Sequence, residues 1–212
     1  MSLRHQPKAA LINDFSGFGR CSVTVALPII SQMKVQCCPV LTSVFSNHTG
    51  YPSFYFDDYT EKMPSYIAEW KKLNLHFECI AAGFLGSERQ IEIVKNFIRD
   101  FKDETTKVLI DPVMGDHGRT YQTFTPEMCS QMKQLAHFAD ILTPNLTEAC
   151  ILTDTPYHDG HWQMSELSEL ALSLIAMGPS KVVITGVSMG TFIGNVICES
   201  GGSCARGDFD LD

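Results

Sequence analysis

Lys107 to Gly118 reads Lys-Val-Leu-Ile-Asp-Pro-Val-Met-Gly-Asp-His-Gly, and this stretch decides the fold. Val108, Leu109 and Ile110 form an unbroken apolar run, the kind carried by a strand buried on both faces. Asp111 stands where that strand emerges, and Pro112 ends it because proline offers no ladder donor. Gly115 and Gly118 let the chain turn sharply around Asp116. A second stretch, Asp140 to Glu148, repeats the design. Ile141 and Leu142 end an apolar run and Thr143-Pro144-Asn145 breaks it. Asn145 suits an N-cap, which puts Glu148 in the first turn of the next helix.

Two acids thus leave one strand end and a third opens a helix nearby. Ligands bind at strand carboxyl ends in open parallel sheets. Three carboxylates would repel a bare phosphate. They become useful with a Mg²⁺ between them and a nucleotide, because Mg²⁺ takes oxygen ligands and keeps several waters. Asp111, Asp116 and Glu148 are therefore the expected metal residues.

The chain has 212 residues, 44% of them hydrophobic, enough for one substantial core, and reads as a single domain over 1–212. A net charge of −8 argues against nucleic acid or an anionic membrane as partner. No run is long and apolar enough to span a bilayer, and the first residues lack an apolar signal core, so a cytoplasmic protein is expected. None of the eight cysteines (Cys21, Cys37, Cys38, Cys79, Cys129, Cys150, Cys198, Cys204) stands in a C-x-x-C pair, and reduced core cysteines are expected.

Around these stretches, strands and helices alternate. Ala9 to Asn13 reads as a strand, Asp14 to Gly19 as a loop, Cys21 to Met33 as a helix bent at Pro28, and Val35 to Thr42 as a strand. Gly17-x-Gly19-x-x-Ser22 begins like a dinucleotide fingerprint. Its third glycine is missing and no acid ends the second strand, so a nicotinamide or flavin oxidoreductase is set aside. Asn13, Asp14 and Ser16 instead offer polar groups to a small ligand, or simply cap a tight turn. Ser43 to Tyr59 mixes aromatic and hydrogen-bonding side chains, which suits a flat heteroaromatic ligand or a packed loop. Helices follow over Glu61–Leu73, from a Ser87 cap to Phe101, over Pro126–His137, from Asn145 to Leu152, and over Glu166–Met177. Further strands are Glu78–Gly83 and Lys181–Thr185; Gly186–Gly190 reads as a turn and Thr191–Cys198 as a hairpin strand. The residues after Cys198 are polar and without helical period, and His158-Asp159-Gly160-His161 reads as an exposed turn. The pattern predicts an α/β fold: a doubly wound, mostly parallel sheet with helices on both faces.

Four motifs, in order, now point to a family: Ser46-Asn47-His48-Thr49-Gly50, Asp111-Pro112-Val113-Met114-Gly115-Asp116, Thr143-Pro144-Asn145-Leu146-Thr147-Glu148, and Val182-Val183-Ile184-Thr185-Gly186. Together they resemble the pyridoxal (vitamin B6) kinases of the ribokinase-like superfamily, over nearly the whole stretch from Ala9 to Cys198. The second and third are shared with hydroxymethylpyrimidine kinases. The resemblance implies that Asp14, Ser16, Asn47, His48, Thr49 and Phe84 surround the substrate; Phe84 stands where some members carry a tyrosine and so lacks its hydroxyl. It implies that Asp111, Asp116, Thr143, Asn145, Glu148, Thr185 and Gly186 surround ATP and its cations, with Asn145 and Glu148 holding Mg²⁺ through water. A monovalent cation is a further candidate cofactor.

The implied reaction is ATP-dependent phosphorylation of the 5′-hydroxymethyl of pyridoxal, pyridoxine or pyridoxamine. The implied partners are a B6 vitamer and ATP, with a homodimer and with neither nucleic acid nor membrane. The family's Gly-x-Gly-Asp motif, whose aspartate is the general base, does not follow Thr185 before Asp212. Asp208 of Gly207-Asp208 is the remaining candidate, with Ala205 where the first glycine belongs. The resemblance thus implies a ribokinase-like fold with its C-terminal portion missing. Alternative readings are a hydroxymethylpyrimidine kinase and a catalytically empty relative that only binds ligand.

Overall fold

The computed structural model describes residues 6–121, 124–189, 192–202 and 204–210. The chain divides into two compact units, Met1–Val108 and Leu109–Asp212. The first contains β1 (Lys8–Phe18), α1 (Ser22–Gln32), β2 (Gln36–Asn47), β3 (Phe56–Asp58), α2 (Met63–Lys72), β4 (Cys79–Ala82) and α3 (Glu88–Phe101). Its strands lie in the order β4-β1-β2-β3. β1 pairs in parallel with β2 and β4, and β3 closes antiparallel on β2.

The alternation of β1 and the 3.6-residue period of α3 place its core. Ala10, Ile12 and Ile80 are buried along the strands, and Ile91, Val94, Phe97 and Ile98 along one face of α3, as the spacing predicts. Ser87 caps α3, its side chain accepting from the Gln90 N–H. Trp70, Phe77, Phe97 and Phe101 meet with ring centroids 4.5 to 6.2 Å apart.

One buried amide ties this unit together. Gln90 Nε2 donates to the Thr42 carbonyl and to Thr60 Oγ1, each at 2.8 Å, and its Oε1 accepts from the Gly86 N–H at 2.7 Å. Gln90→Leu keeps the size but strands these groups in the interior. It is expected to cost about 2–4 kcal/mol in urea unfolding, given ~1–3 kcal/mol per orphaned buried group; a loss under 1 kcal/mol would contradict this.

β5 (Lys107–Ile110) stands at the division between the units. The second unit continues with β6 (Gly115–Asp116), β7 (Arg119–Thr120), α4 (Pro126–Ala136), β8 (Ile141–Leu142), α5 (Leu146–Thr153), α6 (Met164–Ile175), β9 (Lys181–Met189), β10 (Phe192–Glu199) and β11 (Ala205–Asp210). The strand order is β11-β10-β9-β8-β5, with β5, β8 and β9 parallel and β10 and β11 antiparallel. α6 packs on β9 and β10, and α5 on α6 and β9. The α/β, mostly parallel architecture matches the expectation.

Several local expectations are corrected. Asp14 to Phe18 is strand rather than loop: β1 runs on beside β2, with Phe15 opposite Val44 and Phe18 opposite Asn47. A bulge precedes this extension, since the register moves from Asn13–Leu41 to Phe15–Val44 and sets Asp14 against both Thr42 and Ser43. Gly17 fits there because a Cβ would stand 3.0 Å from the Ser46 carbonyl oxygen. The expected turn at Gly186 is also strand; β9 passes through it with φ +68° at a register shift against β10. Gly190 and Thr191 lie outside the described residues. The expected loop after Gly115 is a two-residue hairpin, with positive φ at His117 and Gly118.

The polar tail adds a strand, β11, in which Gly207 pairs with Asn195 and Asp208 with Gly194. Gly207-Asp208 is therefore extended rather than a loop opening a helix; the side chain of Asp208 lies outside the described residues. The β10–β11 hairpin also brings Cys198 and Cys204 into a disulfide, against the expectation that all the cysteines are reduced. The other six form no disulfide, and Cys150 is buried. No helix among the described residues is long and apolar enough to cross a membrane.

Candidate functional site

In the second unit the site grows from the ends of β5 and β8. The Val113 N–H donates to the Asp111 carbonyl, so the chain turns as soon as β5 ends. The Thr143 N–H donates to the Ile110 carbonyl, which carries the β5–β8 pairing to the last residue before the acid. Asn145 then opens α5 with a capping box: its Oδ1 accepts from the Glu148 N–H at 2.9 Å, and Glu148 Oε2 accepts from the Asn145 N–H at 2.8 Å. Two further bonds reach the hairpin. Asn145 Nδ2 donates to the Gly115 carbonyl at 2.8 Å, and Glu148 Oε1 accepts from the Met114 N–H at 3.1 Å. Thr185 joins from β9 by a bridge to Asn145, its N–H donating to the Pro144 carbonyl. Gly186 lies beside it, its N–H donating to Asn195 Oδ1.

The electrostatics follow from burial. Glu148 is only 3% exposed. Desolvation first, then the Asp111 charge, push its carboxyl up to about 8, while the backbone N–H groups of Asn145, Met114 and Gly115 pull it back. Burial alone holds Asp111 at about 6. Tyr121, whose N–H donates to the Met114 carbonyl, has its phenol raised first by burial and then by Glu148, Asp116 and Asp111. All three acids therefore act on one phenol. The sequence gives no period or spacing that would have singled out Tyr121.

The structure gathers Asp111, Asp116, Thr143, Asn145, Glu148, Thr185 and Gly186 in one unit, but not as a cage of three carboxylates. Among the described residues no three His, Cys, Asp or Glu side chains could hold a metal ion directly. The physical reason is that Glu148 turns both oxygens to backbone N–H groups, while Asp116 is exposed and accepts from the His117 N–H. The set still fits a hydrated divalent cation. Asp111 is a desolvated carboxyl that accepts no hydrogen bond among the described residues, and Glu148 lies within reach of its charge.

The first unit holds the other expected residues. Asp14 and Ser16, both buried, are joined by Ser16 Oγ donating to Asp14 Oδ2 at 3.1 Å. Asn13, the third polar residue expected at this strand end, accepts at Oδ1 from the N–H groups of Asp14 and Phe84. Phe84 meets the Phe45 ring at 6.0 Å, and Phe45 also meets Phe54 and Phe56. Asn47 accepts from Ser46 Oγ and donates to the Ser53 carbonyl. Together with Phe18, Tyr51 and Pro52 it borders an open concavity of about 420 Å³. His48 accepts at Nδ1 from the Gly50 N–H, so in its neutral form the ring proton is on Nε2. His48 and Thr49 are exposed. Asp14, Ser16 and Phe84 do not line that concavity.

Fold and site thus define an α/β protein that collects carboxyl groups where parallel strands end. The phosphomethylpyrimidine kinase family model matches residues 27–205. The chain is 42% identical to a Bacteroides thetaiotaomicron protein described as a phosphomethylpyrimidine kinase, over all of this chain and 74% of that one, with a TM-score of 0.94. A second crystal form of that protein, with pyridoxal, gives 43% identity over 96% and 72% of the two chains and a TM-score of 0.92. The pyridoxal kinase of Arabidopsis thaliana is 31% identical over 161 residues, 72% of this chain and 49% of that protein. The chain belongs to the phosphomethylpyrimidine kinase family, and the likeness to B6 kinases of the ribokinase-like superfamily read from its motifs holds. It spans about half the length of the curated relatives it matches.

Proposed function

We propose that this chain binds ATP with Mg²⁺ through its second unit and a B6 vitamer through its first, in a kinase that phosphorylates the vitamer's 5′-hydroxymethyl group. The observation that carries the reading is the buried Asn145–Glu148 capping box and the desolvated carboxyl of Asp111, which accepts no hydrogen bond among the described residues. Bound Mg²⁺ would neutralise charge on the phosphate oxygens. Asp111 would face it directly and Glu148 through water, while Asn145 holds Glu148 and Gly115 in place. The backbone around Thr185 and Gly186 would orient the phosphates. In the first unit, Asp14 and Ser16 would offer polar contacts to a pyridine ring, with the aromatic group around Phe45 and Phe84 supplying flat apolar surface. Pyridoxal in the 43% identical relative supports the vitamer over other ring substrates.

A second reading, phosphorylation of a hydroxymethylpyrimidine, is favoured by the family model itself. Calorimetric titration with pyridoxal and with hydroxymethylpyrimidine, each with and without Mg–ATP, separates the two, and a coupled ATP-consumption assay reads turnover. Saturable pyridoxal binding at least tenfold tighter than pyrimidine binding is the result expected. The reverse preference would replace the substrate. Absence of any Mg²⁺-dependent ATP binding would overturn the reading as a whole.

A further inference from the structure

We infer that Tyr157 is a positioning residue: its ring, packed against Gly118, fixes the Gly115–Thr120 hairpin that carries Asp116. This rests on the nucleotide reading above. The hairpin reverses at His117 and Gly118, with φ +49° and +73°. Such a short hairpin, pairing only Gly115 with Thr120 and Asp116 with Arg119, is marginal by itself. Outside contacts must hold it, and the structure supplies two at its tip. Thr147, in the first turn of α5, accepts at Oγ1 from the Gly118 N–H at 2.8 Å. Tyr157, in the segment between α5 and α6, has its ring against Gly118; a Cβ there would stand 2.5 Å from its Cδ1 and 2.7 Å from its Cε1.

Gly118 is therefore required twice, by its left-handed backbone and by the ring against it. The base of the same hairpin supplies the Met114 N–H to Glu148 and the Gly115 carbonyl to Asn145. Displacing the tip tilts this small element as a body, moving Asp116 and loosening the frame around Glu148. Tyr157 is itself held: its ring lies 6.2 Å from that of Trp162, whose Nε1 donates to the His158 carbonyl. The Tyr157 hydroxyl takes no part in this; the packing surface of the ring does.

The test is Mg–ATP and pyridoxal titration of the full chain carrying Tyr157→Ala, Tyr157→Phe, Gly118→Ala or Asp116→Asn, with amide hydrogen exchange over 115–120. Expected for Tyr157→Ala is a roughly three- to thirtyfold loss of Mg–ATP affinity, the range in which residues act without touching the ligand. Pyridoxal affinity should stay within twofold, and hairpin amides should exchange faster. Tyr157→Phe should restore both readouts. Gly118→Ala, which leaves the segment after α5 intact but also strains the left-handed backbone, should repeat the Mg–ATP loss; if Tyr157→Ala does not fold, Tyr157→Leu carries the test, with a smaller loss of the same kind. Tyr157→Ala and Gly118→Ala binding Mg–ATP like the parent, while Asp116→Asn binds weakly, would overturn the role of Tyr157 and leave the nucleotide reading standing. A Tyr157→Phe variant as weak as Tyr157→Ala would also overturn it. An Asp116→Asn variant with undiminished Mg–ATP affinity would overturn both.

Discussion

Glu148→Gln is expected to weaken Mg–ATP binding by at least tenfold while changing pyridoxal affinity less than twofold, and to lower stability by about 2 kcal/mol near pH ~4, where the carboxyl is uncharged in the folded and unfolded chain alike. The two effects share one cause. Both carboxyl oxygens of Glu148 accept backbone hydrogen bonds, from Asn145 and from Met114. A glutamine offers one acceptor and one N–H₂ group, so one of these backbone N–H groups would face another donor in a buried place. An orphaned buried donor costs about 1–3 kcal/mol. Glutamine also cannot ionise beside a cation, which removes the group that would hold the waters of a Mg²⁺. Equal loss for nucleotide and vitamer would contradict the assignment of the acids to the nucleotide, and an unchanged melting temperature near pH ~4 would contradict the hydrogen-bond argument.

Asp111→Asn should act in the opposite sense on the fold. The Asp111 carboxyl is held at about 6 by burial. A folded-state value above the ordinary ~4 means that the fold prefers the neutral form. The stability this brings is complete below pH ~4 and is lost as pH rises through about 6. Asparagine never ionises and so escapes the loss. The variant should match the parent near pH 4 and be more stable by about 1–3 kcal/mol at pH 7.5, in the absence of divalent cation; the ceiling is the two-unit displacement at ~1.4 kcal/mol per unit. Mg²⁺ with ATP should stabilise the parent and not the variant, narrowing the gap. Melting temperatures of both proteins from pH 4 to 8, with and without Mg–ATP, read this directly. A variant less stable than the parent at pH 7.5 would show that Asp111 is satisfied in the fold and has no need of a cation.

What was legible in advance was local. The apolar run Val108–Ile110 stopped by Pro112 is a strand end wherever it occurs, and Asn145 with Glu148 three residues later is a helix start. Ser87 before the period of Ile91, Val94, Phe97 and Ile98 gives α3 its start and its buried face from neighbours in sequence. The strand extension through Asp14–Phe18 was not legible. Its residues are polar and aromatic, and they form strand because Ser43–Asn47 lies alongside to accept their hydrogen bonds. β11 was hidden for the same reason, its composition being that of a tail. Tyr121 and Tyr157 gave no signal, because their surroundings are set by burial and by Glu148 and Gly118, which lie far from them in the chain.

By itself the sequence determined the α/β alternation, the family-defining motifs and the acids that leave β5 and open α5. Residue type and spacing act within a turn or two of the backbone, so these followed without coordinates. Tertiary structure alone decided that Glu148 is buried with both oxygens on backbone N–H groups and, among the described residues, that Asp111 accepts no hydrogen bond and the three acids do not form one cage. Burial and partner choice are set by segments far apart in the chain, and it is burial that moves the two carboxyls to about 6 and about 8.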